Sequence, residues 1–333
     1  MRIGVMGAGS IGCYLGGWLA HAGHEVTLVG RAWLGESLAA EGLTLSRYGG
    51  EGAQLRLGGN LRFTTDPGDL SGSDVVLVTV KSRDTAGAGQ ALEPIVPAGV
   101  LVVSFQNGLH NAAVLREALP GRAVVAGMVP FNVVRQPPAR FHQGTSGPLV
   151  IGTSPLSEPF AGAVRGASLP IVVHSDMPGI LWSKLLFNLN NATNALCGLP
   201  LREQLSDPAF RRLLAATITE GLAVLDKAGI KPRRAGRMMP RLAPRILPLP
   251  NWLFFRVASA MIQIDPEARS SMWEDLQRGR PTEVDDLNGK IVAKGAEVGV
   301  PTPISSRLIA LIRDAEAAGD GSPGLSAAEI WPG

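Results

Sequence analysis

The sequence predicts an α/β fold, a doubly wound, mostly parallel sheet in the N-terminal part followed by an all-helical C-terminal domain. Three observations carry that expectation. Residues 1–30 read strand, glycine-rich turn, helix, strand; short apolar runs separated by glycine and proline recur to about His174; and beyond Pro178 the apolar spacing turns helical almost to the end. A chain of 333 residues also suggests about two domains, placed here at 1–175 and 176–333.

The first unit of the pattern is the most specific. Arg2–Met6 is a short buried strand, Gly7-Ala8-Gly9-Ser10-Ile11-Gly12 a tight turn entering a helix, and Glu25–Val29 a second strand. That is the βαβ start of a Rossmann-type dinucleotide site. Gly7 permits the turn, Gly9 lets the backbone approach a pyrophosphate, Gly12 lets helix pack on strand, and the first-turn N–H groups face the phosphates. A chain with 41 glycines meets Gly-x-Gly-x-x-Gly easily, so the flanking strands and helix give the motif its weight. The second strand ends at Gly30-Arg31, where an NAD site usually carries an acid for the ribose hydroxyls. Arg31 instead points to NADP(H), with the guanidinium on the 2′-phosphate. The competing reading is an exposed loop cation.

Composition excludes several classes. With 45% apolar and 18% charged residues the chain is a well-packed globule, not a disordered one. The 31 basic and 28 acidic residues are interleaved and the net charge is +3, so no nucleic-acid partner is expected. The run Arg233, Arg234, Arg237, Arg241 and Arg245 is interrupted by Pro240 and Pro244 and reads as a solvated face. Cys13 and Cys197 lack metal-ligand spacing, so no metal is expected and both read as buried thiols of a reducing, cytoplasmic compartment. The longest apolar stretch, Ile246 to Ile264, contains Pro248, Pro250 and Arg256, which argues against a membrane span.

In chain order, Trp33–Ala40 is a short helix and Leu43–Leu57 suggests extra strands at a sheet edge. Asp74–Val80 is a buried parallel strand that delivers Lys81 and Ser82 at its carboxyl end. Val100–Ser104 delivers Gln106-Asn107-Gly108 to the same edge, where ligands of open α/β sheets gather, and His110–Leu119 is the next helix. Lys81 and Asn107 are therefore candidate cofactor residues; alone, each is an ordinary post-strand lysine or turn asparagine. Met128–Val134, Ala139–Gln143, Pro148–Ile151 and Ile171–His174 read as antiparallel additions, with His142 and His174 outside any metal-ligand spacing and read as structural.

Ser175-Asp176-Met177-Pro178 starts a long helix to about Ala195. Helices are then expected over Pro208–Ala228, Trp252–Ile264, Pro266–Arg278, Thr282–Val298 and Pro303–Ala318, with a proline-broken stretch from Arg233 to Asn251 and a loose tail from residue 319. In the first of these helices Lys184, Asn188 and Asn191 fall at i, i+4 and i+7 on one face. Asparagine is a poor mid-helix residue, and Asn190 and Asn194 stand beside them, so the cluster points to a carboxylate or carbonyl ligand. Ser271 and Asp275 share a face, while Thr282 reads as a helix cap with Glu283, Asp285 and Asp286 in the first turn, acids that the helix dipole alone accounts for.

Taken together, the cofactor turn, the Asn-Gly after a strand, the Lys-x-x-x-Asn helix and the Ser-Ser-Met…Thr-Glu-x-Asp segment resemble the ketopantoate reductase family over nearly all of residues 1–318. The resemblance implies a Rossmann domain joined to a helical one, with ketopantoate bound in the cleft and reduced by NADPH to D-pantoate for pantothenate and coenzyme A biosynthesis. It implies that Lys184 is the catalytic lysine, Glu283 the acid supporting the reacting oxygen, and Asn188 and Ser271 substrate contacts. It further implies that Gly7 to Gly12 hold the pyrophosphate, Arg31 the 2′-phosphate, and Lys81 and Asn107 the cofactor near its nicotinamide. The family's second asparagine, eight residues after the lysine, is Ala192 here, with Asn191 or Asn194 as its replacement. The proline-rich stretch Met239–Phe255 is longer and more apolar than in the family, a candidate lid or the subunit contact of a homodimer. Two alternatives remain: a reductase of another branched or aromatic 2-oxo acid, and a non-catalytic NADP-sensing regulator.

Overall fold

The computed structural model describes residues 1–47, 49–234, 239–258 and 265–331. Its contacts divide the chain into two compact units, Met1–Met177 and Pro178–Gly333.

The first unit runs β1 (Arg2–Met6), α1 (Ser10–His21), β2 (Glu25–Val29), α2 (Ala32–Glu41), β3 (Leu43–Arg47), β4 (Ala53–Leu55), β5 (Leu61–Thr64), β6 (Val75–Val78), α3 (Thr85–Leu92), β7 (Leu101–Ser104), α4 (Asn111–Ala118), β8 (Ala123–Met128), β9 (Val133–Gln136), β10 (Arg140–Gln143), β11 (Leu149–Gly152), α5 (Ser157–Gly166) and β12 (Ile171–His174). An eight-stranded sheet has the order β12-β11-β8-β7-β6-β1-β2-β5, and a four-stranded sheet the order β4-β3-β10-β9. The pairs β2–β5, β1–β2, β1–β6, β6–β7 and β7–β8 are all parallel. Strands covered on both faces must be apolar throughout, and Val75–Val78 and Leu101–Val103 are buried accordingly. The chain leaves β1 first toward β2 and later returns to its other side at β6. This puts the order reversal, and the crevice that goes with it, at β1/β6.

Helix α1 is apolar nearly all round because it is covered twice. A side chain on Gly16 would meet Leu28, Val26 and Val5 of the large sheet, and one on Gly17 would meet Leu43 and Leu45 of the small sheet. The small sheet corrects the expectation for residues 43–57: β3 pairs with β10 and β4 with β3, in a sheet of their own rather than at the edge of the large one. The additions after residue 124 are also only partly antiparallel. β11 is antiparallel to β8, but β12 is parallel to β11, and α5 makes the crossover between them. The expected strand Met128–Val134 is split, ending β8 at Met128 and resuming in β9 at Val133, with Pro130 between. Helix α3, Thr-Ala-Gly-Ala-Gly-Gln-Ala-Leu, has weak helix propensity and is held by packing, Gly89 lying so close to Ala118 that a Cβ would stand 2.6 Å away.

The second unit is α6 (Met177–Asn188), α7 (Asn190–Cys197), α8 (Leu201–Ser206), α9 (Pro208–Lys227), α10 (Ala243–Ile246), α11 (Asn251–Val257), α12 (Ser271–Gln277), α13 (Val284–Val298), α14 (Pro303–Ala318) and α15 (Ala327–Ile330). The expected single helix from Pro178 is thus two segments meeting at Leu189, and the helix expected over Pro266–Arg278 begins at Ser271 because Ser270 caps it, accepting from the Trp273 amide at 3.2 Å. The tail is not loose: Ser326 and Glu329 form a capping box, and Ile330 is fully buried. The proline-rich stretch is pinned by Arg211, a fully buried guanidinium that donates to the carbonyls of Leu205, Ser206, Leu247 and Leu249 and to Asn251 Oδ1, over the ring of Phe254. Trp252, 72% exposed, projects from the same stretch. Arg237 and the end of the expected Trp252–Ile264 helix, residues 259–264, lie outside the described residues. Arg241 pairs with Asp226, both exposed. None of the described helices is long and apolar enough to cross a membrane.

Candidate functional site

In the first unit the glycine turn follows β1 directly. Gly7 has φ +109°, and a Cβ there would strike Val80 at 2.8 Å. A Cβ on Gly12 would stand 2.3 Å from the Gly7 carbonyl oxygen, whereas one on Gly9 would meet nothing within 4 Å. Gly7 and Gly12 therefore serve packing, and Gly9, exposed, leaves room for a ligand. The first intrahelical bond of α1 runs from Cys13 N to Gly9 O, so the amides of Ser10, Ile11 and Gly12 form the donor-bearing first turn. Gly7 and Ala8 contribute no such donors, because both amides are spent on Val29 O. This arrangement fits a dinucleotide pyrophosphate.

The neighbouring strand ends converge on the turn. Thr79, just past β6, donates through Oγ1 to Gly7 O at 2.6 Å and through its amide to Met6 O. Exposed Lys81 and partly buried Asn107 follow β6 and β7. A polar network absent from the sequence reading ties these ends together. Gln106 Nε2 donates to Val80 O at 3.0 Å and Thr85 Oγ1 at 2.7 Å, its Oε1 accepts from Ser104 at 2.9 Å, and Ser82 Oγ donates to Asn107 O at 2.9 Å. The only sequence signal for it is a run of polar residues just past a wholly apolar strand. Arg31 is exposed at the N-cap position of α2, at the end of β2.

In the second unit Lys184, Asn188 and Asn191 are the partly buried positions of the expected stripe, flanked by buried Leu185, Leu186 and Leu189. Burial lowers the Lys184 amine to about 8, against the opposing pull of the Glu283 carboxylate. Glu283 is at the N-cap position of α13; the Thr282 hydroxyl accepts from the Val284 amide at 3.3 Å, so Thr282 does part of the capping expected of it. Ser270 Oγ donates to Asn191 O at 3.2 Å, which sets exposed Ser271, the first residue of α12, beside the amide stripe. The asparagine cluster separates into two roles. Asn190 and Asn194 are buried around Gln204, and Asn194 also donates to Leu199 O and accepts from Ser270 N. Asn194 is therefore fully committed, Ala192 is fully buried, and Asn191 alone of the two alternatives stays on the stripe. The two histidines are structural, His142 Nδ1 lying 2.8 Å from Ser46 Oγ and His174 Nδ1 accepting from Asp176 N. Among the described residues there is no metal-binding group of side chains.

An ammonium beside a carboxylate, with two amides and a hydroxyl along the same ground, suits an anion that carries a polarised carbonyl. Residues 3–155 match the family model described as ketopantoate reductase PanE/ApbA, and residues 176–316 match its C-terminal counterpart. The chain belongs to the ketopantoate reductase family. It is 30% identical over 330 residues to a 2-dehydropantoate 2-reductase of Halobacterium salinarum, covering 95% of this chain and 99% of that one. The crystal structure of a PanE/ApbA family ketopantoate reductase from Ralstonia eutropha superposes with a TM-score of 0.80 at 32% identity, covering 96% of this chain and 99% of the other. A D-mandelate dehydrogenase solved with NADH and anilino(oxo)acetate has a TM-score of 0.79 over 96% of this chain and all of that one; at 18% identity it shares the fold. Membership of the ketopantoate reductase family makes the chain an oxidoreductase of the NAD(P)-binding kind.

Proposed function

We propose that the protein reduces 2-dehydropantoate to D-pantoate with NADPH. The observation that carries this reading is Lys184: a partly buried lysine, lowered by burial to about 8 and kept protonated by Glu283, on the helix face that also bears Asn188 and Asn191. Bound NADPH supplies a hydride to the 2-keto carbon. As charge gathers on the keto oxygen, the Lys184 ammonium stabilises it and then delivers a proton from Nζ. Glu283 holds Lys184 in the charged form and supports the reacting oxygen, while Asn188, Asn191 and Ser271 orient the substrate's carboxylate and hydroxyl. The first-turn amides of Ser10 to Gly12 hold the pyrophosphate, Arg31 takes the 2′-phosphate, and Lys81 and Asn107 line the nicotinamide end.

The test follows cofactor oxidation by absorbance with a panel of branched and aromatic 2-oxo acids, each with NADPH and with NADH. The highest kcat/KM is expected for 2-dehydropantoate with NADPH. A higher value for another 2-oxo acid would reassign the substrate, a preference for NADH would remove the role of Arg31, and cofactor binding without any turnover would favour a sensor.

A further inference from the structure

Helices α1 and α2 both start at the carboxyl edge of the large sheet, from the adjacent parallel strands β1 and β2. Their N-termini are close neighbours: a Cβ on Gly30, at the end of β2, would stand 2.7 Å from that of Ala8 in the glycine turn. Side chains on a helix lean toward its N-terminus, so Trp33, the second residue of α2 and 43% exposed, leans toward the same edge. The guanidinium of Arg135, from β9, stands 4.1 Å over the Trp33 ring and donates from Nη2 to the Pro138 carbonyl at 3.3 Å. Strand β9 packs along α1, and just ahead of it Phe131 meets Tyr14 edge-on at 5.7 Å between ring centroids. Burial raises the Cys13 thiol, at the end of the first turn of α1, against the opposing pull of the Arg135 charge. Arg135 therefore stands between the first turns of α1 and α2. Both helix N-termini carry partial positive charge, Arg31 caps one of them, and no acid stands in the first turn of either. A further cation in that place adds repulsion unless an anion is bound there.

We propose that Arg135, presented by Trp33, is a second cation for the 2′-phosphate of the dinucleotide and so a residue that selects NADPH over NADH. The inference rests on the NADPH reading above and adds to Arg31 a partner from the small sheet. A planar cation held over an indole keeps its orientation, and the guanidinium edge suits a phosphate, to which it donates paired hydrogen bonds. Trp33 is the platform in this arrangement, and Arg135 is the group that meets the ligand.

The test measures, by calorimetry on the full-length protein, the binding of adenosine 2′,5′-bisphosphate and of adenosine 5′-monophosphate, which differ only in the 2′-phosphate, so the readout needs no turnover. Arg135→Gln is expected to weaken the bisphosphate about tenfold, the scale of losing hydrogen bonds between charged groups, and to leave the monophosphate unchanged. Arg135→Lys keeps the charge without the planar fork and should recover part of the loss. Trp33→Ala removes only the platform and is expected to weaken the bisphosphate roughly threefold. Thermal unfolding checks that each variant is folded; if the Arg135 variants are not, Trp33→Ala carries the same comparison. Wild-type affinity for the bisphosphate in a folded variant, or an equal loss for both nucleotides, would overturn the proposal. A wild type that binds the two nucleotides equally would remove the NADPH reading itself. A wild type that prefers the bisphosphate, with an Arg135→Gln variant that keeps the full preference, would remove the role of Arg135 alone.

Discussion

The carboxyl edge of the large sheet and the asparagine-bearing helices of the second unit both offer polar groups to a ligand, yet they are held in place by different means. At the sheet edge, backbone geometry does the positioning. Glycine at three spacings, parallel strands in register and a helix N-terminus put donors where they are needed, and side chains such as Gln106 and Thr79 only tie strand ends together. In the helical unit the positioning falls to side-chain packing and buried amides: Asn190, Asn194 and Gln204 brace α7, Ser270 docks α12 on it, and the stripe stands on that base. A site built on backbone tolerates changes away from its glycines; one built on buried amides depends on residues that never touch the ligand.

The largest effect that would break this contrast is at Lys184. Lys184→Ala is expected to lower kcat at least about a hundredfold, the usual scale for losing a positioned proton donor, and near-normal turnover would remove the lysine from the mechanism. Next comes the backbone half. Gly12→Ala forces a Cβ to 2.3 Å from the Gly7 carbonyl oxygen and should cost about 2–3 kcal/mol in denaturant unfolding. Gly9→Ala meets no protein atom within 4 Å and should leave stability within about 0.5 kcal/mol while weakening NADPH binding by titration. Equal stability losses in the two variants would contradict their division of labour.

The amide half is sharpened by a second pair. Asn194→Ala strands the Ser270 amide and the Leu199 carbonyl and is expected to cost about 2 kcal/mol of stability. Asn191→Ala should change stability by no more than about 0.5 kcal/mol but raise KM for the 2-oxo acid. The smallest effect is at Arg31. With the proposed role on the 2′-phosphate, Arg31→Ala should raise KM for NADPH roughly tenfold and leave NADH unaffected, and an equal rise for both cofactors would remove that role.

The same contrast separates what was legible in the sequence from what was not. The βαβ unit, β6 and β7 announce themselves because buried parallel strands are uninterrupted apolar runs and the glycine spacing follows from backbone sterics. Strands β3 and β4 were visible as alternating segments, but their sheet was not, because pairing with β10 depends on residues far along the chain. In the helical unit, phase along the helix groups Lys184, Asn188 and Asn191, all three partly buried. It did not show that Asn190 and Asn194 face inward, since Gln204, the acceptor that makes their burial tolerable, belongs to a short helix without a clear period. Ser270 does not stand out from Ser271 in the sequence for the same reason: a cap is recognised only once the start of its helix is known. The Arg211 clasp gave no local signal, because its acceptors are backbone carbonyls, which every residue has.

The central claim, that a protonated Lys184 drives the reduction, is tested most directly by the pH dependence of kcat. A proton donor lowered from 10.5 to about 8 is charged below that value and neutral above it, so activity should be full on the acid side and fall as pH rises through about 8. A rate that stays flat up to pH 10.5 would contradict the account.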